Sequence, residues 1–189
     1  MKRSIVAVLL QAALALAFAL PAFAQASAPL APPASQIDQS VTAALNSLYA
    51  HNDKARQLGA KAKAILVFPD IKKGAFLIGA QFGFGALREG GQTVGYYRTA
   101  AASYGFQAGV KQFGYALFFM NDSALNYLNQ SGGWAIGTGP SVVVVDEGFA
   151  RSLTTTNLRS DVYAFVFNQQ GLMGGVGIEG SKITQIKPN

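Results

Sequence analysis

The sequence predicts an α+β fold, a mostly antiparallel, strongly twisted sheet or partly closed β-barrel with N-terminal helices packed on it. Three observations point there. Every one of the 21 glycines lies at or after Gly59, so the composition changes from helix-like to strand-like at that point. Beyond it, runs of aromatic and β-branched residues recur between turn signals. One of these runs, Val142 to Val145, is apolar on both faces, as expected of a central strand covered on both sides within a layered core.

The first segment is not part of the fold. Lys2 and Arg3 precede an apolar run from Ile5 to Leu20, and Ala22-Phe23-Ala24 supplies small residues for a cut before Gln25. The run is shorter than the ~20 residues a spanning helix needs, so residues 1–24 are expected to be a signal peptide. The expected destination is the periplasm, with peripheral attachment to the inner or outer membrane and release from the cell both compatible with export. Residues 25–35, QASAPLAPPAS, have no periodic apolar face and read as an Ala/Pro-rich tether, leaving 36–189 as a single domain.

Ser35 can cap a helix with Ile37, Val41, Ala44, Leu45 and Leu48 at helical spacing, ending near His51-Asn52. Asp53 can cap a second, basic amphipathic helix. Its stripe is Ala55, Leu58, Ala62 and Ile65, flanked by Lys54 and Lys61 on one side and Arg56 and Lys63 on the other, with Gly59 weakening its continuity. Strands are then expected at 64–68, 75–87, 93–104, 106–119, 134–146, 162–168, 172–179 and 182–186. Glu89-Gly90-Gly91 is a hairpin turn, Pro69-Asp70 a short turn, and Asn121-Asp122-Ser123 the entry to a short helix holding Leu125 and Leu128. Alternation puts Phe76, Ile78, Phe82 and Phe84 on one strand face and Gly79, Gly83 and Gly85 on the other, a glycine face that admits close packing of the domain's own elements or, as the alternative, a ligand groove.

Catalysis finds little material. The absence of cysteine excludes disulfides, a thiol nucleophile, thiolate metal sites and a lipoprotein anchor. His51 is the single histidine and sits at a helix junction without a nucleophile elbow, where it reads as a cap or exposed turn residue. Asp146 and Glu147 are adjacent, so a strand would send them to opposite faces. Neither Gly79, Gly83 and Gly85 nor Gly174-Gly175-Val176-Gly177 forms a phosphate loop. We therefore expect no enzyme activity, no catalytic residue, no cofactor and no metal.

What rises above background is a run of bases, Lys54, Arg56, Lys61, Lys63, Lys72 and Lys73, against Asp53 and Asp70. Near an anionic bilayer each such charge contributes on the order of 1 kcal/mol, provided the bases share a face. The competing expectation is a solvated helix face whose apolar stripe docks on its own sheet. Dispersal of the bases after Lys73, together with the export signal, argues against nucleic acid as a partner.

From Ala60 to Lys187 the chain resembles the SYLF domain family, most closely its exported bacterial branch. The match is carried by AKAILVFPDIKKGAFLIGAQFGFGAL (62–87), YGFQAGVKQFGYALFFMNDSALNYL (104–128), GPSVVVVDEGFAR (139–151) and SDVYAFVFNQQGLMGGVGIEGSKI (160–183). The resemblance implies binding of acidic phospholipid head groups, with Lys61, Lys63, Lys72 and Lys73 at positions matching the family's basic part. Eukaryotic members bind phosphoinositides, and fungal ones also actin, a partner not expected in the periplasm. Where eukaryotic members carry glycine after the Ala-Lys pair, this chain has Ala64. The alternative is a structural or adhesive envelope protein, with Tyr96, Tyr97, Phe113, Tyr115 and Trp134 marking a protein interface. A transmembrane barrel is disfavoured, because Val142 to Val145 breaks the required alternation.

Overall fold

The structure is a computed structural model that describes residues 29–76, 78–104, 109–130, 132–145, 159–170, 178 and 180–189. Residues 31–189 fall in one compact unit. Residues 1–24, the expected signal peptide, and Asp146-Glu147 lie outside the described residues, as does nearly all of the expected strand 172–179.

Helix α1, Ala34–His51, buries Ile37, Val41, Ala44 and Leu48, the predicted stripe, while Leu45 is half-buried. Pro33 rather than Ser35 stands at its N-cap, without a side-chain cap. At the other end Asn52 closes α1 and opens α2, Asp53–Gly59, by accepting the Ala55 N–H at 2.9 Å. Asp53 is therefore the first helical residue, not the cap. Helix α2 also stops earlier than the basic stripe requires: Ala60 N–H bonds back to Arg56, and the Ala62 N–H to Leu58 O closes the last turn at 2.9 Å.

Eight strands follow: β1 Ala64–Phe76, β2 Ile78–Glu89, β3 Gln92–Tyr104, β4 Gly109–Phe119, β5 Trp134–Ala135, β6 Val142–Val145, β7 Val162–Gln170 and β8 Lys182–Ile186. They form one strongly curled, half-barrel sheet in the order β5-β8-β3-β2-β1-β4-β7-β6. All pairs are antiparallel except β6 with β7. The β2–β3 hairpin turns through Gly90 and Gly91, whose φ of 55° and 84° match the left-handed pair a tight hairpin needs. Helix α3, Asp122–Asn126, continues into a single 3₁₀ turn and is capped by Asn121, which accepts the Ala124 N–H at 2.8 Å. The expected fold class is the observed one.

Three sequence expectations fail in the sheet. The single strand 75–87 is one, since Ala75-Phe76 end β1 and β2 begins at Ile78, paired across from Phe76. Pro69-Asp70 does not end a strand: β1 runs through it with one extra residue, since Val67 faces Ala86 on β2 whereas Ile71 faces Gly83. This bulge reverses the alternation, so Phe68 and Ile71 both enter the same buried cluster. Thirdly, 134–146 is not one strand but β5 and β6, and β6 is the terminal strand rather than a central one, with Val144 43% exposed.

The sheet separates two apolar layers. Leu66, Phe68, Ile71, Tyr97, Phe113, Tyr115, Leu117 and Phe119 fill one face, closed by Leu128, Trp134, Ile136, Ile178 and Ile183. The other face carries Ile65, Val67, Ala86, Ala116, Phe118, Tyr163 and Phe165 under α1 and α2. No helix among the described residues is long and apolar enough to cross a membrane.

Candidate functional site

The six predicted bases separate into two groups. Lys54 and Arg56 stand on α2 on either side of Ala55, which is fully buried. Arg56 is exposed and pairs with Asp53 one helical turn back. Lys61 and Lys63 lie on the tight turn between α2 and β1, both exposed. Their backbone is held: the Lys61 N–H donates to Leu58 O at 3.0 Å, and the Lys63 N–H to Phe119 O at 2.8 Å. That second bond places Lys63 beside the start of α3, where its ammonium lies 3.8 Å from Asp122, with side chains 55% and 76% exposed. A pair so long and so open contributes about 0–1 kcal/mol and leaves the ammonium available.

Lys72 and Lys73 lie elsewhere. With Pro69-Asp70 inside β1 there is no turn to fold them back, and at ~3.3 Å per residue the strand carries Lys72 roughly 25–30 Å beyond Lys63. Charges that far apart, with a screening length of about 8 Å at physiological salt, do not act as one patch. Lys72 is exposed opposite Phe82 and Gln112, and Lys73 pairs in register with Gln81 and Lys111, its side chain lying outside the described residues.

The apolar stripe between the bases is not free either. Ala55 and Leu58 are 0% and 4% exposed in the layer that α1 and α2 form over the sheet. The stripe serves the core, so no inserting face remains on α2. The aromatic residues expected at an interface are core residues as well: Tyr97, Phe113, Tyr115 and Trp134 are at most 2% exposed, and Tyr96 is half-buried under α1.

A polar contact that the sequence did not suggest holds α1 to the hairpin. Asp38 accepts from Thr93 Oγ1 at 2.6 Å and from the Tyr96 hydroxyl at 2.9 Å, with Arg88 at 3.6 Å. Arg88, only 16% exposed, also donates to the Asp38 carbonyl at 3.1 Å, to Thr42 Oγ1 at 2.9 Å and to Gly91 O at 3.2 Å. Burial and the Asp38 carboxylate together hold the Tyr96 phenol above its ordinary value. On one side of Arg88 lies an open polar cleft lined by Asp38, Asn46, Thr93 and Tyr96. On the other lies a narrower groove of about 490 Å³ between α1, the α2–β1 turn and the β2–β3 hairpin, lined by Leu45, Tyr49, Ala62, Lys63 and Ile65 as well as Arg88.

His51 ends α1, exposed, with its Nδ1 2.8 Å from the Ser47 carbonyl, at the helix-terminal position expected of it. Asp161 accepts from Ser141 N–H at 2.9 Å, Ser141 Oγ at 2.8 Å and Asn121 Nδ2 at 2.8 Å, tying β6, β7 and α3 together. Those donors, the backbone one foremost, hold its carboxyl below the ordinary aspartate value. Among the described residues no group of three or more His, Asp or Glu stands close enough to hold a metal ion.

A curled antiparallel sheet with two helices latched across one face, and cations gathered where the second helix enters the sheet, defines an α+β domain of a recognisable kind. Residues 100–188, just under half of the chain, match the family model described as Ysc84, Las17-binding protein actin regulator, a match that supports the SYLF resemblance. That family is linked to lipid and actin binding and is generally non-enzymatic. The matched span runs from the last part of β3 past the end of β8, so it covers neither α1 and α2 nor the six predicted bases. No curated protein matches the chain.

Proposed function

We propose that this chain is a non-catalytic domain, exported to the periplasm by residues 1–24, that binds acidic phospholipid head groups at a membrane surface. The observation that carries the reading is the clustering of Lys54, Arg56, Lys61 and Lys63 on one short helix and its closing turn, with Lys61 and Lys63 exposed. With Ala55 and Leu58 packed on the sheet, adhesion rests on charge rather than on insertion, and so depends steeply on salt. The match of residues 100–188 to a family linked to lipids supports the lipid partner. The actin association of the family does not transfer to a periplasmic protein, which meets no actin.

Flotation with vesicles tests the reading. Recovery with phosphatidylglycerol vesicles is expected at low salt, with little at 0.5 M salt and little on phosphatidylcholine alone. Replacing Lys54, Arg56, Lys61 and Lys63 by Glu is expected to abolish recovery, whereas the double change Lys72→Glu and Lys73→Glu lowers it slightly. Reversal of Arg159, Lys182 and Lys187, which are exposed elsewhere, serves as the control for total charge. Equal loss in all three folded variants removes the localised site.

A further inference from the structure

The groove beside Arg88 has a composition that surface adhesion does not use. Its volume, about 490 Å³, lies within the range of roughly 300–1,000 Å³ in which small-molecule sites fall. Leu45, Tyr49, Ala62 and Ile65 supply an apolar lining, while Lys63 and Arg88 are the charged residues on it, and no acidic residue is among its described lining. Asp38 and Asp122, which meet these two cations, stand outside that lining.

Lys63 keeps a donor for an anion, and Arg88 brings a positive charge to the same groove. The Lys63 ammonium has one long, solvent-exposed contact with Asp122. Arg88 Nη1 and Nη2 are engaged by Gly91, Thr42 and Asp38, but its Nε is shielded from solvent and has no hydrogen-bond partner. Arg88 therefore offers the groove its charge rather than an open donor.

Gly59 leaves room for one wall of the groove. A Cβ there would stand 2.9 Å from Tyr49 Cζ, so a side chain at 59 would displace the Tyr49 ring from the end of α2. Burial raises the Tyr49 phenol above its ordinary value, which keeps the wall neutral.

We propose that this groove takes one acyl chain of a single anionic phospholipid, whose phosphate is received by Lys63 and Arg88. An apolar lining alone would suit a neutral hydrophobe, and two cations alone a free anion. Together they fit an amphiphile with one negative end. The inference rests on the acidic-lipid reading above and deepens it, from adhesion at a surface to a site that holds one lipid.

Calorimetric titration of the purified protein with dodecyl phosphate, kept below its micelle concentration, tests the site. One dodecyl phosphate is expected to bind per chain, and dodecyl maltoside or inorganic phosphate at least tenfold more weakly. Ala62→Phe and Leu45→Trp, which narrow the groove without altering charge, are each expected to weaken dodecyl phosphate at least tenfold while leaving flotation on phosphatidylglycerol vesicles intact. Because either change could disturb packing, Lys63→Gln, at an exposed position, gives an independent arm: it should weaken dodecyl phosphate about tenfold and leave dodecyl maltoside unchanged. Equal binding of the neutral detergent or of inorganic phosphate overturns the proposal. So does undiminished binding by Lys63→Gln or by the folded groove variants. Vesicle recovery without one-to-one binding sinks the groove and leaves the surface reading standing. One-to-one binding without vesicle recovery does the reverse.

Discussion

Three glycines explain how β1 can carry an extra residue inside a packed sheet. A Cβ on Gly83 would stand 2.7 Å from the Asp70 carbonyl oxygen, one on Gly114 2.8 Å from the Pro69 carbonyl oxygen, and one on Gly85 2.7 Å from Phe68 Cδ1. The bulge and its glycines are thus one feature: the extra residue brings β1 backbone against its neighbours, and only residues without side chains leave room. Gly85→Ala is expected to destabilise by about 1–3 kcal/mol, as overpacking a filled site does. Gly132→Ala, with nothing within 4 Å of the added atom, should be close to neutral. Urea unfolding of the two variants decides, and equal midpoints would remove the close-approach account. The glycine face itself was legible from period two alone. What it packs against was not, because Pro69-Asp70 carries every local mark of a turn, and only pairing on both sides of β1 keeps it extended.

The helices were legible where their signals are local and illegible where they are not. Helix α1 buries the apolar positions its spacing announced, and Asn121 caps α3 where the sequence opens it. The Asp38 latch joins residues 50 to 58 positions apart in the chain, through types common on any surface, so no window of sequence exposes it. Strand β6 teaches a different lesson. Val142 packs against one apolar layer, and Val143 and Val145 against the other, but Val144 is 43% exposed, so two-sided apolarity reported contact with both layers and not full cover. It did not report rank in the sheet, since a terminal strand can lie between two layers. What holds β6 in place is its register with β7 and the Asp161 acceptor set. Because the folded carboxyl lies below its ordinary value of 3.8, that contribution is present above this value and is lost as pH falls through the folded one. Asp161→Asn is therefore expected to lower the melting temperature at pH 6, and the gap from the wild type should narrow below about pH 4. A gap of equal size at pH 3 would show that shape rather than charge carries the contact.

Site and core were read with unequal success for one physical reason. Charge is visible in sequence, but whether charges converge depends on the path of β1, and one proline read as a turn instead of a bulge joined bases that the strand holds apart. The layered core was more accessible, because alternation repeats in every long strand, and its aromatic content gives it a measurable alkaline limit. Burial raises the phenols of Tyr49, Tyr96, Tyr97 and Tyr115 above 10.0, Tyr115 furthest. Tyr115 is fully enclosed, and its hydroxyl donates to Thr99 Oγ1 at 2.7 Å, a contact whose small opposing pull does not offset the burial. A raised folded value means that the fold favours the neutral phenol. Stability from these groups is complete below the unfolded value near pH 10 and is lost as pH rises toward the folded ones. The melting temperature is therefore expected to fall from about pH 10 upward. Of the 7 tyrosines, the buried ones should develop phenolate absorbance at 295 nm only together with loss of the near-ultraviolet circular dichroism. Tyr115→Phe removes the phenol with the largest shift, so it should flatten the alkaline decline, although Thr99 then loses its donor and stability at neutral pH drops by about 1 kcal/mol. Full ionisation of all tyrosines near pH 10 with the folded signal intact would mean that the layer behind β4 is open to water, against the burial on which the two-layer architecture depends.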